Sequence, residues 1–127
     1  MREFTVTMSN RPGQLAVLAR RLADAGVNID ALAASSTDHE ATVRFVPDDD
    51  DATRTVLRAA SVVFNERPVL DTVLPNRPGA LATLTERLAA SGVNIDAMYL
   101  MHTSPDGLHF AIAVNDPEGA ASTLELS

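Results

Sequence analysis

Two stretches of the chain, Asn10-Arg11-Pro12-Gly13 and Gly26-Val27-Asn28-Ile29-Asp30, carry residue types suited to holding a small zwitterion. Both recur, as Asn76-Arg77-Pro78-Gly79 and Gly92-Val93-Asn94-Ile95-Asp96. The first motif is turn chemistry followed by leucines at three- and four-residue spacing, the signature of a helix start, where the leading N–H groups lack partners and the dipole end is positive. Such a start suits a carboxylate. Gly13 and Gly79 let a ligand approach the backbone because no Cβ stands in the way. Pro12 and Pro78 remove a donor that would be unpaired anyway, leaving the N–H groups of Gln14 and Leu15, or of Ala80 and Leu81, to point outward. A carboxamide both donates and accepts, so Asn28 or Asn94 can meet either the carboxylate or the ammonium of a free amino acid. The candidate ligand-binding residues that this chemistry supports are Pro12, Gly13, Gln14, Leu15 and Asn28 in one copy, and Pro78, Gly79, Ala80, Leu81 and Asn94 in the other; Asn10 and Ile29, with Asn76 and Ile95, stand beside them in the motifs as further candidates.

The shift between copies is 66 positions, and residues 10–31 against 76–97 agree at 16 of 22 positions, with every difference inside the helix-like stretch, as at Arg20 against Glu86. Packing alone preserves apolar character and size, so identical polar residues at both ends point to one local geometry built twice. Structural readings stand beside the functional ones. Asn10 and Asn76 have the look of plain helix N-caps, and Gly-Val-Asn-Ile-Asp that of a helix stop followed by a strand start, with the Asn side chain satisfying turn backbone. Duplication copies structural residues as faithfully as functional ones. Arg11 and Arg77 read as solvated at the loop or as attracting a carboxylate.

The elements that must position these residues follow from periodicity. Phe4, Val6 and Met8 alternate with threonines as a half-buried strand. A helix is predicted from about Pro12 to Ala25, with Gly26 just past its end. Val27 to Ser35 and a run ending at Val46 form a hairpin, the four aspartates 48–51 open a second helix, and a short strand follows at Val62-Val63-Phe64. Glu66-Arg67-Pro68 reads as a connection too short to be a flexible linker.

The second unit repeats the order from Val69: strand to Leu74, helix from about Pro78 to Ser91, strand from Val93, hairpin turn at 104–107, strand to Val114, and a last helix opened by Asp116-Pro117-Glu118. The fold class is α+β: two ferredoxin-like βαββαβ units, 1–68 and 69–127, each an antiparallel sheet with helices on one face. The second is expected to lack or borrow its last strand.

With 10 Lys and Arg against 17 Asp and Glu, the net charge is −7 and no basic, aromatic-laced patch exists, which argues against nucleic acid. Cysteine is absent, excluding disulfides and thiolate chemistry, and no apolar run reaches membrane-spanning length, so the cytoplasm is the expected location. His39, His102 and His109 lack metal-ligand spacing and read as surface residues, the aspartates as helix capping, and Met98, Tyr99 and Met101 as core or interface packing. No nucleophile, base and orienting group gather in sequence. Neither a cofactor nor a metal is expected, nor catalysis.

On the two motifs, the chain resembles a tandem pair of ACT domains, small regulatory modules that bind amino acids in biosynthetic enzymes. It is most similar to short stand-alone proteins made of two such domains. The resemblance implies a non-catalytic metabolic sensor that binds a small amino acid at the interface between ACT units, and the small size of each unit separately points to a homodimer. In serine-binding members, Asn residues 18 apart hold the ligand between paired domains, and the resemblance carries those roles to Asn10 with Asn28 and to Asn76 with Asn94. Those members have a His two residues before the loop Asn, where Met8 and Leu74 stand here, which favours a ligand with an apolar side chain. The alternative is a ligand-independent interaction module that mediates oligomerisation or docks a biosynthetic enzyme or regulator.

Overall fold

The computed structural model describes residues 1–125, so Leu126 and Ser127 lie outside the described residues. The first unit contains β1 (Arg2–Ser9), α1 (Gln14–Asp24), β2 (Ile29–Ser36), β3 (Glu40–Pro47), α2 (Asp50–Ala59) and β4 (Phe64–Pro68). Its four strands lie in the order β2-β3-β1-β4, with β3 antiparallel to both β1 and β2. Phe4, Val6, Val43 and Phe45 face Leu18 and Leu22 of α1 and Leu57 of α2, so both helices cover one sheet face. The Phe4 ring lies 5.8 Å from the rings of both Phe45 and Phe64, which ties β4 into the same core.

The second unit contains β5 (Leu70–Leu74), α3 (Ala80–Ala90), β6 (Ile95–Ser104), β7 (Gly107–Val114) and α4 (Pro117–Glu125). Its sheet has three strands among the described residues, ordered β5-β7-β6, with β7 antiparallel to both neighbours. Leu84 and Leu88 of α3 and Ala120 of α4 meet Leu74, Ile112 and Val114, repeating the first core. The architecture is the expected α+β one, two ferredoxin-like units with helices on one sheet face. No helix of the described residues is long and apolar enough to cross a membrane.

Element boundaries depart from the sequence reading in informative places. The first helix begins at Gln14 rather than Pro12, because Gly13 adopts φ 87 and the first full helical bond runs from the Val17 N–H to the Gly13 carbonyl at 3.0 Å. The fourth strand is not 62–64. Ser61, at φ 55, closes α2, and Val62 returns its N–H to the Leu57 carbonyl at 2.9 Å, so an extended chain starts only at Phe64. Glu66-Arg67-Pro68 is therefore strand and not connection. Asp49 caps α2 by accepting from the Ala52 N–H at 3.0 Å, with Asp50 and Asp51 in the first turn, which is the capping role expected of the aspartate run.

An ion-pair cluster fixes β4 onto α2 and β1. Glu66 accepts from Arg54 Nε and Nη2 and from Arg2 Nε, each at 2.7 Å, while Arg54 also reaches Asp51 at 2.6 Å. The bidentate hydrogen bonding from Arg54, with Arg2 beside it, lowers the Glu66 carboxyl from 4.5 to about 2. A depressed carboxylate stabilises the fold above its unfolded value, so this contribution is present above pH 4.5 and is lost as the pH falls from there toward about 2.

Thermal melts between pH 6 and 2 should show that loss over this window in the parent chain and a flatter pH dependence in Glu66→Gln. Gly107 is a second checkable position. It sits at φ 137, and a Cβ there would run into the Leu74 backbone carbonyl, so Gly107→Ala should cost more than about 1 kcal/mol by denaturant unfolding.

Candidate functional site

Each helix opening is built by the same short sequence of backbone bonds. In the first unit the Arg11 N–H returns to the Ser9 carbonyl at 2.9 Å, and the Gln14 N–H reaches the Arg11 carbonyl at 3.4 Å. In the second unit Arg77 returns to Pro75 at 2.9 Å and Ala80 to Arg77 at 3.3 Å. Gly13 and Gly79, at φ 87 and 89, serve as the N-caps, and neither helix has a side-chain cap. Among the described residues the N–H groups of Leu15 and Ala16, and of Leu81 and Ala82, make no hydrogen bond. The outward donors are thus one residue later than the sequence suggests, since Gln14 and Ala80 use theirs to close the turn.

The asparagines occupy different places. Asn10 is not a helix cap. Its N–H reaches the His39 carbonyl at 3.0 Å and its Nδ2 donates to the Thr37 carbonyl at 2.9 Å, so it pins the β2–β3 hairpin tip to the opening. Asn76 makes no hydrogen bond among the described residues. Asn28 and Ile29 lie beyond the far end of α1, whose 11 residues rise about 16 Å, so within one unit Asn28 does not meet Asn10. Its Nδ2 donates to Asp30 at 2.8 Å, and its N–H and carbonyl pair with the Asp48 side chain and N–H at 2.9 and 3.0 Å. Asn94 and Ile95 repeat the arrangement, with Asn94 bonded to Asp96 at 2.8 Å and, through its N–H, to the Asn115 side chain at 2.9 Å.

Beside the first opening lies a hollow of about 290 Å³ lined by Asn10, Gln14 and Leu15 from the turn and α1, and by Ala34, Ala41 and Val43 from the hairpin. Met8, Ser9, Arg11, Ser35 and Ser36 complete it. A hollow of about 410 Å³ beside the second opening is lined by Arg77, Pro78, Gly79 and Ala80, but it runs along β5 and α3, past Thr72, Thr83 and Arg87. The hairpin residues were not among the candidates from sequence; their signal was the alternation that puts Ala34, Ala41 and Val43 on the helix-facing side.

Arg11 and Arg77 are exposed and make no ion pair among the described residues. The structure does bring His102 and His109 together, their rings stacked at 4.1 Å across β6 and β7, with His109 Nε2 and Ser104 Oγ 2.8 Å apart. No group of three or more possible metal ligands forms among the described residues.

The model for the ACT domain matches residues 3–63 and again 69–126. No curated protein matches the sequence. A Bacteroides thetaiotaomicron protein superposes with a TM-score of 0.89 at 24% identity, over 98% of this chain and 86% of its own. The ligand-free regulatory subunit of aspartate kinase from Thermus thermophilus gives 0.71 at 18% identity, over 98% and 87%. Escherichia coli aspartokinase III, in complex with lysine and aspartate, gives 0.56 at 11%, over 98% of this chain and 30% of that one. At these identities the structural likeness speaks for the fold alone. The two family matches together span most of the sequence, and the chain belongs to the ACT domain family.

Proposed function

We propose that this protein is a cytoplasmic, non-catalytic sensor that binds a free amino acid at an ACT helix opening. What supports the reading most is that two unpaired N–H groups, those of Leu15 and Ala16, stand at the positive end of α1 beside a hollow with both polar and apolar walls. A ligand carboxylate accepts from these donors. Because Asn10 Nδ2 is held by Thr37, its Oδ1 stays oriented and able to accept from the ligand ammonium. The apolar side chains of Met8, Ala34, Ala41 and Val43 receive the ligand side chain.

The energetic scale suits a metabolite sensor. Hydrogen bonds to a charged group contribute roughly 1.5–3 kcal/mol each, and a dissociation constant of 1 mM corresponds to about 4.1 kcal/mol. Two such bonds and modest apolar burial place the affinity between about 1 μM and 1 mM. Occupancy then changes pairing with a second copy of the chain, or with a biosynthetic enzyme or regulator, through a coupling of about 1–3 kcal/mol. Pairing with a second copy also offers a way to bring an Asn28 or Asn94 carboxamide to an opening it does not reach within its own unit.

A second reading, docking without ligand, draws on the exposed apolar side chains Leu15, Val17 and Leu32. Partner recovery in pull-downs that ignores added amino acids would favour it.

Titration calorimetry against the twenty amino acids is expected to give one or more binders in the stated range, weakened about tenfold, or about 1.4 kcal/mol, by Asn10→Ala. Sedimentation with and without that ligand should shift the mass or the association constant. Silence from all twenty at millimolar concentration would remove the sensor reading.

A further inference from the structure

The two openings share their backbone but not the sheet surface beneath them. On the helix-facing side of the first sheet, pairing across β1, β3 and β2 sets Val6, Val43 and Ala34 in one row and Met8, Ala41 and Ser36 in the next. The corresponding rows across β5, β7 and β6 are Thr72, Phe110 and Leu100, then Leu74, Leu108 and Thr103. Side chains paired across antiparallel strands share a face, so these rows can be compared position by position. On the hairpin side a methyl becomes isobutyl twice, at Ala34 against Leu100 and at Ala41 against Leu108, and isopropyl becomes benzyl at Val43 against Phe110. On the outer side Val6 becomes Thr72 and Val17 becomes Thr83, swaps of similar size that replace a methyl by a hydroxyl.

The first unit also has a hollow of about 350 Å³ on the outer side, along β1 and α1 past Val6, Val17 and Leu18, so the units differ in the hollow beside the opening on the hairpin side. The hollow at the first opening lies over Ala34, Ala41 and Val43, between α1 and the hairpin. The hollow at the second includes neither Leu100, Leu108 nor Phe110 and runs instead along β5 and α3, past the two threonines. Phe110, paired with Thr72 and Leu100 as Val43 is with Val6 and Ala34, packs against the second core with a larger side chain.

We propose that each chain binds one amino acid with an aliphatic side chain, at the first opening, and that Leu100, Leu108 and Phe110 block the equivalent position in the second unit. The assignment rests on the sensor reading above and names which opening is used and what contacts the ligand side chain. Ala34 and Ala41 are then the specificity-determining residues. An enlarged side chain at either collides with the ligand, and a hollow of about 290 Å³ floored by methyl and isopropyl groups leaves room for a branched aliphatic group. The second opening keeps its duplicated glycine turn as structure only.

Calorimetry on the full chain with each of the twenty L-amino acids, followed by full titration of the tightest, tests this directly. The expected result is one equivalent per chain, an aliphatic ligand, at least tenfold weaker binding in Ala34→Leu, and less than twofold change in Leu100→Ala. Ala34 is exposed, so the leucine should fold; should melting show otherwise, Ser36→Leu, also at an exposed position of the same floor, is read in its place. Two equivalents per chain, a charged or aromatic ligand, or binding that survives Ala34→Leu and is lost in Leu100→Ala would overturn the assignment while leaving the sensor reading intact. No heat from any of the twenty removes both.

Discussion

The strand-to-helix turn at Gly13 and Gly79 governs what the rest of each unit can present. A left-handed φ near 90° costs an L side chain about 1–2 kcal/mol, whereas glycine pays nothing for it, and the turn it makes leaves no side chain in position to cap the helix. Two consequences follow in the first unit. Among the described residues the N–H groups of Leu15 and Ala16 stay unpaired, and Asn10, released from capping, ties the hairpin tip through Thr37. One backbone conformation thus both exposes donors and fixes the wall opposite them.

Much of this was legible in the sequence, and the reasons differ from feature to feature. The order of elements followed from alternation in Phe4-Val6-Met8 and from leucine spacing in the helices, because burial on one face enforces those periods. The second copy of each motif showed that the unit is built twice. The start of β4 was not legible, since the apolar run Val62-Val63-Phe64 looks like a strand, and only the left-handed Ser61 with the Val62 N–H bond shows that its first residues serve the end of α2. Nor was the strand character of Glu66-Arg67-Pro68, which depends on ion pairs to Arg2 and Arg54 far away in sequence.

The candidate residues divide along the same line. Gly13, Gln14 and Leu15 were found from local turn chemistry and do stand at the opening, whereas spacing from Asn10 to Asn28 suggested proximity that an intervening helix prevents within a unit. Eighteen residues that include a full helix return the chain to the opposite end of the sheet. Ala34, Ala41 and Val43 escaped notice because small apolar residues on a strand carry no chemistry by themselves. They matter only through what the next strand and the helix leave open above them, which is a property of packing and register.

The charge of the chain bears on the kind of ligand that such an opening can collect. At a net −7, the long-range field repels anions, and at ionic strengths near 0.15 M that repulsion is screened beyond about 8 Å. A simple carboxylate would meet it on approach. A zwitterion carries no net charge and does not, and in the proposed binding mode its carboxylate would meet the helix start beside Arg11, while its ammonium would meet the Asn10 carboxamide. In that mode an opening with a local cationic contact in an anionic global field would suit a molecule with both charges close together. Discrimination between amino acids would then fall to the apolar floor, where one methylene alters binding by about 1–3 kcal/mol.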